Sequence, residues 1–188
     1  MKRAAIGVRA HSGWAALVAV TGLPGSVRVL DRRRIVIADA KRPGANQPYH
    51  FAERLELLAA EKHLEGCAAV SERLALSAIG DVVKELKGYE IAGAAVLLAS
   101  GRQLPSLADI LRSHALIHTA EGEFFRQVVR QACEKLGIGV TGIRERELGE
   151  GTALQLEIAG LGKIVGPPWT QDQKMAALAA MMVLSNAQ

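Results

Sequence analysis

Two histidines four residues apart, His114 and His118, are the sharpest candidates for chemistry in this sequence. On a helix this spacing places both imidazoles on one face, where they can share a metal ion with Glu121 as a candidate third ligand. The helix is predicted to begin only at Thr119, however, because threonine is a good N-cap and the acids Glu121 and Glu123 would then lie in the first turn. The histidine pair would stand ahead of that helix. The sequence therefore predicts no bound metal ion and no cofactor.

A second group of polar residues stands where strands are predicted to end. Arg9, His11 and Ser12 follow the first predicted strand, and Ser100 and Arg102 follow a later one. Open α/β sheets bind their ligands at the carboxyl ends of the strands. Two arginines at that edge would suit a phosphate or carboxylate group through charge-assisted hydrogen bonds. These residues therefore form a candidate site for an anionic ligand.

The same arginines also have a purely structural explanation. Arg9 and Arg102 could pair with nearby acids, for which Glu121, Glu123 and Asp172 are the candidates. Ion pairs and anion sites are alike in sequence, so both hypotheses stay open. The candidate ligand-binding residues, all polar and near predicted strand ends or helix starts, are Arg9, His11, Ser12, Ser100, Arg102, His114, His118, Glu121 and Asp172.

The elements that must position these residues follow from the apolar runs. Strands are predicted at 4–10, 14–20, 91–99 and 138–143, with a strand or a second hairpin at 27–37. Helical segments are predicted at 51–86 with an interruption at Gly66, at 119–136, at 152–159 and at 171–184, where Thr170 caps the last one. An antiparallel meander followed by alternating helices and strands predicts an α/β fold with a mixed sheet and helices on both faces.

Composition sets the outer limits. The chain has 188 residues, enough for a single domain spanning 1–188. Its formal charge of +4 permits contact with a polyanion but does not require it.

Cys67 and Cys133 lie in helical patterns, which predicts buried free thiols and a reducing compartment. No signal peptide or membrane span is recognisable, so we expect a cytoplasmic protein with no membrane contact. Phosphate-binding loops, dinucleotide motifs and serine-hydrolase elbows are absent from the sequence.

Two short segments resemble a known superfamily. The hairpin from Ile6 to Ala15 joins a strand end, a reversal and a Gly-aromatic entry to the second strand. The segment from Gly166 to Met175 is a Gly-rich approach to a final helix with a polar first turn. With the order of elements over nearly the whole chain, they resemble the ribonuclease-H-like superfamily and its Holliday-junction-resolvase branch. The resemblance implies a sheet with antiparallel strands 1–3 followed by parallel strands.

The chain departs from that resemblance where the chemistry would lie. Superfamily members that cut nucleic acid bind two magnesium ions through three or four carboxylates. The resemblance places the first acid at the end of strand one, where this chain has Arg9, and the second at 98–100, which holds none. The last belongs in the first turn of the final helix, where Asp172 is present but Gln171 could occupy the key position. The resemblance therefore implies a scaffold without two-metal nuclease activity.

Three functional hypotheses follow. The leading one is a non-catalytic ribonuclease-H-like protein that binds an anionic ligand, a nucleic acid or a protein partner. The alternative is a divergent nuclease or phosphohydrolase with a rearranged site made of Arg9, His11, His114, His118 and Asp172. The third is a structural module that forms a homodimer through the alanine- and methionine-rich face of the last helix.

Overall fold

A five-stranded mixed sheet forms the centre of the molecule. The computed structural model describes residues 1–99, 103–149 and 151–187. The strands are β1 (Lys2–His11), β2 (Trp14–Thr21), β3 (Arg28–Val36), β4 (Tyr89–Leu98) and β5 (Val140–Arg144). Their order in the sheet is β3-β2-β1-β4-β5. The first three pair antiparallel, whereas β4 runs parallel to both β1 and β5. The predicted mixed sheet is confirmed.

The parallel arrangement decides where the candidate residues meet. Because β1, β4 and β5 point the same way, their carboxyl ends share one edge of the sheet. In register, Val8 of β1 faces Val96 of β4, and Leu98 of β4 faces Arg144 of β5. The hairpin between β1 and β2 turns at the same edge, where Gly13 adopts a φ of 79° that favours glycine. We call this side of the molecule the strand-end edge.

Helices cover both faces of the sheet, as the sequence predicts. They are α1 (Pro48–Ala52), α2 (Leu57–Glu85), α3 (Leu107–Leu111), α4 (His114–Lys135), α5 (Ala153–Gly160), α6 (Gly162–Val165) and α7 (Gln171–Asn186). One core unites apolar residues of α2 and α4 with Ile6 and Val8 of β1. The other unites α5 and α7 with Ala5. Successive β1 side chains thus point to opposite faces, which is the normal period of a strand.

Two local predictions are wrong, and one alternative left open by the sequence is decided. Helix α2 runs through Gly66 without interruption, and the Arg42 guanidinium lies over the glycine, where a side chain would otherwise stand. The segment around Arg28–Val36 is one strand rather than a hairpin. Helix α4 begins at His114 rather than Thr119, whose hydroxyl donates to the Ala115 carbonyl from inside the helix. The last correction puts both candidate histidines on a helix.

The apolar face of α7 is already covered by this chain. Eight of its residues are buried, among them Ala176, Ala180 and Met181, and the helix packs on β1, β2 and β4. The face suggested for dimerisation is therefore occupied by the sheet. Thr170 caps α7 by accepting from the Gln173 amide, as predicted. No helix within the described ranges is both long and apolar enough to cross a membrane.

Candidate functional sites at the strand-end edge and on helix α4

An arginine lies between two carboxylates at the strand-end edge. Arg9, near the end of β1, donates through Nη1 to Asp172 Oδ1 at 2.6 Å, and its Nη2 lies 2.8 Å from Glu145 Oε1. Asp172 stands in the first turn of α7, where a negative charge suits the helix dipole. Glu145 directly follows β5. Of the two hypotheses for Arg9, the structure contains the ion pair with Asp172.

His11 completes this group from the neighbouring turn. Its Nε2 lies 3.2 Å from Asp172 Oδ1, but off the direction of a hydrogen bond, so this buried nitrogen has no hydrogen-bond partner within the described residues. The imidazole stacks on Trp14 with ring centroids 4.3 Å apart, and the Arg34 guanidinium lies 4.1 Å from the Trp14 ring centre. Stacking fixes His11 beside Asp172. Ser12 is exposed in the turn.

A magnesium pair does not fit this arrangement. Two magnesium ions need several carboxylates with free oxygens, and here the Arg9 guanidinium already bridges Asp172 and Glu145. A fixed positive charge at that position repels a divalent cation. Glu145 was not among the residues predicted for this site. Its placement after a strand that ends at the same edge is the signal that could have identified it.

The basic run on β3 is also committed to contacts within the chain. Arg32 donates to the carbonyls of Val165, the last residue of the short helix α6, and of Gly166, which follows it. Arg33 lies between Asp31 and Glu85, and both contacts raise its pKa further. With Arg34 placed over the Trp14 ring, each arginine of the run has a partner. Contacts within the chain therefore hold all three arginines of the run.

Removing the central cation tests this network. We expect Arg9→Ala to lower the free energy of unfolding by about 1–2 kcal/mol, because Asp172 and Glu145 would face each other without a counter-ion in a half-buried position. Arg112→Ala is the matched control, since Arg112 pairs with Asp109 at 3.5 Å in an exposed position. That change should cost less than about 0.5 kcal/mol. Urea unfolding curves measure both, and equal effects would contradict a structural role for Arg9.

A second group gathers three histidines against α4. His114 and His118 lie one turn apart with their Nε2 atoms 3.0 Å from each other. His50 of α1 joins them, with its ring centroid 4.7 Å from that of His118. One ring nitrogen from each of the three lies within 4.8 Å of the others. His50 is not among the candidate residues predicted from the sequence, and only its packing against α4 reveals the cluster.

Glu121 lies behind His50 rather than beside the histidine pair. Its side chain is 4% exposed, and its Oε2 accepts from His50 Nδ1 at 2.8 Å and from the backbone amides of Tyr49 and His50 at 3.2 Å. Burial raises the pKa of the Glu121 carboxyl, while the His50 hydrogen bonds act in the opposite direction. Its second oxygen, Oε1, is buried without a hydrogen-bond partner in the described part of the chain. Glu121 thus orients His50.

The candidate residues separate into two groups. Arg9, His11 and Asp172 meet at the strand-end edge, and their helix α7 packs on one face of the sheet. His114 and His118 lie on α4, which packs on the other face. No contact among the described residues joins the groups, so the single rearranged site of the alternative hypothesis does not form. Ser100 and Arg102 lie outside the described residues.

The two cysteines are buried free thiols, as predicted. Burial raises the pKa of Cys133 to about 12. It also raises the pKa of Cys67, whose Sγ lies 3.5 Å from His63 Nε2. Both groups therefore stay protonated near neutral pH, and neither is an activated nucleophile.

Comparisons with known proteins identify the fold. No protein-family model matches the chain, and no curated protein sequence matches it. Among solved structures, Thermus thermophilus RuvC in complex with a Holliday junction substrate superposes with a TM-score of 0.57 at 12% identity, covering 98% of this chain and 95% of that one. A further Thermus thermophilus RuvC structure gives 0.56 at 10% identity, with 97% and 95% covered. The chain therefore has the ribonuclease-H-like fold, in the arrangement seen in RuvC.

Proposed function

We propose that this protein binds nucleic acid, in particular branched DNA, without cutting it by two-metal chemistry. The observation that carries the proposal is the Arg9 guanidinium held between Asp172 and Glu145 at the strand-end edge. A positive charge stands where a cleaving member of the superfamily would need metal-binding acids. Arg9 occupies carboxylate oxygens that a metal pair would need, but one guanidinium between two carboxylates leaves the group without net positive charge. The positive charge that would attract phosphate therefore has to come from neighbouring residues.

A cavity that adjoins the Arg9–Glu145 ion pair contains two further arginines. It has a volume of about 330 Å³ and is lined by Leu98, Ala99, Arg144, Glu145 and Arg146, at the ends of β4 and β5. The guanidinium groups of Arg144 and Arg146 form no ion pair with a carboxylate among the residues described, although the Arg144 backbone amide donates to Glu147 Oε2 at 3.1 Å. Their guanidinium groups are therefore available for the phosphates of a DNA backbone. The RuvC structure with a Holliday junction supports branched DNA as the first substrate to test.

Fluorescence polarisation with labelled DNA tests the proposal. We expect a four-way junction to bind with an affinity that falls as salt rises, because phosphate contacts release counter-ions. The double change Arg144→Ala and Arg146→Ala should reduce the salt slope by about 2, roughly one for each lost phosphate contact. Arg73→Ala is the matched control, because Arg73 is exposed on α2 and lies outside the cavity. An affinity that ignores salt, or no binding to any DNA, would overturn the proposal.

The second half of the proposal has its own assay. Incubation of the same junction with Mg²⁺ or Mn²⁺ should give no cleavage above background, because the acids at the edge are already paired with Arg9. Cleavage that disappears in Asp172→Asn would show that the edge retains metal chemistry. That outcome would contradict the absence of two-metal cleavage but not the proposed DNA binding.

A further inference from the structure

We propose that His50, His114 and His118 bind one divalent transition-metal ion of the zinc class. The site lies on the α4 face of the sheet and is independent of the proposed DNA binding at the strand-end edge. The sequence predicts no metal here because it starts the helix after both histidines. With α4 beginning at His114, the four-residue spacing places both imidazoles on one helical face.

The spacing of the ring nitrogens fits a small tetrahedral ion. Nitrogen ligands at 2.0–2.1 Å from zinc stand roughly 3.3 Å apart in tetrahedral geometry. His114 Nε2 and His118 Nε2 are 3.0 Å apart, so a metal needs them to separate by only a few tenths of an ångström. The longest separation in the cluster is at most 4.8 Å and must shorten by at most about 1.5 Å. Side-chain torsions of exposed histidines can absorb that change.

Glu121 orients His50, the third candidate ligand, as carboxylates orient metal-bound histidines in other proteins. A carboxylate accepts hydrogen bonds, so the 2.8 Å contact places the proton on His50 Nδ1 and leaves the lone pair on Nε2. Metal-bound histidines commonly donate their other ring nitrogen to a buried carboxylate, which fixes the ring and raises its basicity. The unpartnered Oε1 of Glu121 adds negative charge close to the cluster. It offsets part of the positive charge that a metal ion would bring.

The ligand set selects the class of ion. Three neutral imidazoles suit zinc, copper, nickel or iron, whereas magnesium and calcium require oxygen ligands. His114 and His118 are exposed, so an ion can enter from solvent. The same exposure lets a water molecule from solvent serve as the fourth ligand. Three protein ligands with one open position is the pattern of a reactive rather than a purely structural zinc site.

Titration of tag-free, chelator-treated protein tests the site. We expect isothermal calorimetry to give one equivalent of bound Zn²⁺ and no binding of Mg²⁺. His114→Asn and His118→Asn should each weaken Zn²⁺ binding at least tenfold. Glu121→Gln should weaken it ten- to a hundredfold, because a neutral amide can still accept from His50 Nδ1 but does not raise the basicity of the ring as a carboxylate does. His63→Asn is the matched control, since His63 stacks on Phe51 outside the cluster and should leave the affinity unchanged.

A second readout separates binding from misfolding. Zn²⁺ should raise the thermal midpoint of the wild type, because a ligand that binds the folded state stabilises it. The midpoint of His118→Asn should match that of the wild type without metal and stay fixed when Zn²⁺ is added. Unchanged affinity in both histidine variants, or an equal loss in His63→Asn, would overturn the site.

Discussion

Replacing Gly7 with alanine is expected to lower the free energy of unfolding by about 3 kcal/mol. A β-carbon at this position of β1 would collide with the Ala176 carbonyl oxygen and lie 2.7 Å from the Ala176 carbonyl carbon and 3.1 Å from the Ala180 amide nitrogen. All three atoms belong to the backbone of α7, so no rotamer change relieves the overlap. The sheet and α7 would have to separate, which opens the second core.

Gly7→Ala should also disturb the Arg9–Asp172 ion pair at the strand-end edge. Gly7 lies two residues before Arg9, and Ala176 lies one helical turn after Asp172. The close approach of β1 and α7 at the glycine is therefore what brings the Arg9–Asp172 ion pair within reach. Loss of that approach removes both the packing and the pair, so Arg9→Ala should add little further destabilisation to Gly7→Ala.

Urea unfolding followed by circular dichroism measures the effect. Gly160→Ala is the matched control, because Gly160 ends α5 with no atom within 4 Å of an added β-carbon. That variant should be unchanged or more stable by up to about 1 kcal/mol, since alanine restricts the unfolded chain. A Gly7→Ala midpoint equal to the wild type would contradict the close approach of α7.

Replacing Glu121 with alanine is expected to lower the free energy of unfolding by about 2–3 kcal/mol. Three donors lose their acceptor: His50 Nδ1 and the amides of Tyr49 and His50, which open helix α1. Helix α1 spans only Pro48–Ala52 and is too short to be stable on its own, so its link to α4 holds it in place. The loss in the free energy of unfolding arises because these three donors are left without a hydrogen-bond acceptor.

Amide hydrogen exchange gives this prediction a local readout. The Tyr49 and His50 amides should lose protection in Glu121→Ala and largely keep it in Glu121→Gln, whose side-chain oxygen still accepts hydrogen bonds. Glu123→Ala is the control on the same helix, because Glu123 is exposed and pairs only with Arg126 among the described residues. Protection of the Tyr49 and His50 amides that survives in Glu121→Ala would mean that α1 is held by something else.

Local sequence signals determined most of the architecture. The alternation and length of the apolar runs predict the five strands and the principal helices, because a strand or helix that buries one face must repeat its apolar residues with the period of that element. Thr170 with Gln173, and Gly13 in the first reversal, are short-range signals of the same kind. The start of α4 shows the limit of such signals. Ser113 makes no side-chain capping bond, whereas Thr119 has the chemistry of a cap but lies inside the helix.

The composition of the two sites was decided only by the tertiary structure. Arg9 and Asp172 are 163 residues apart, and His50 and Glu121 are 71 apart, so no local pattern joins either pair. Glu145 meets Arg9 because parallel strands end at one edge, and His50 meets His118 because α1 packs on α4. The sequence alone determined which residues could carry charge or bind a metal. Packing of the helices on opposite faces of the sheet decided which of them act together, since contact between distant segments depends on the whole fold.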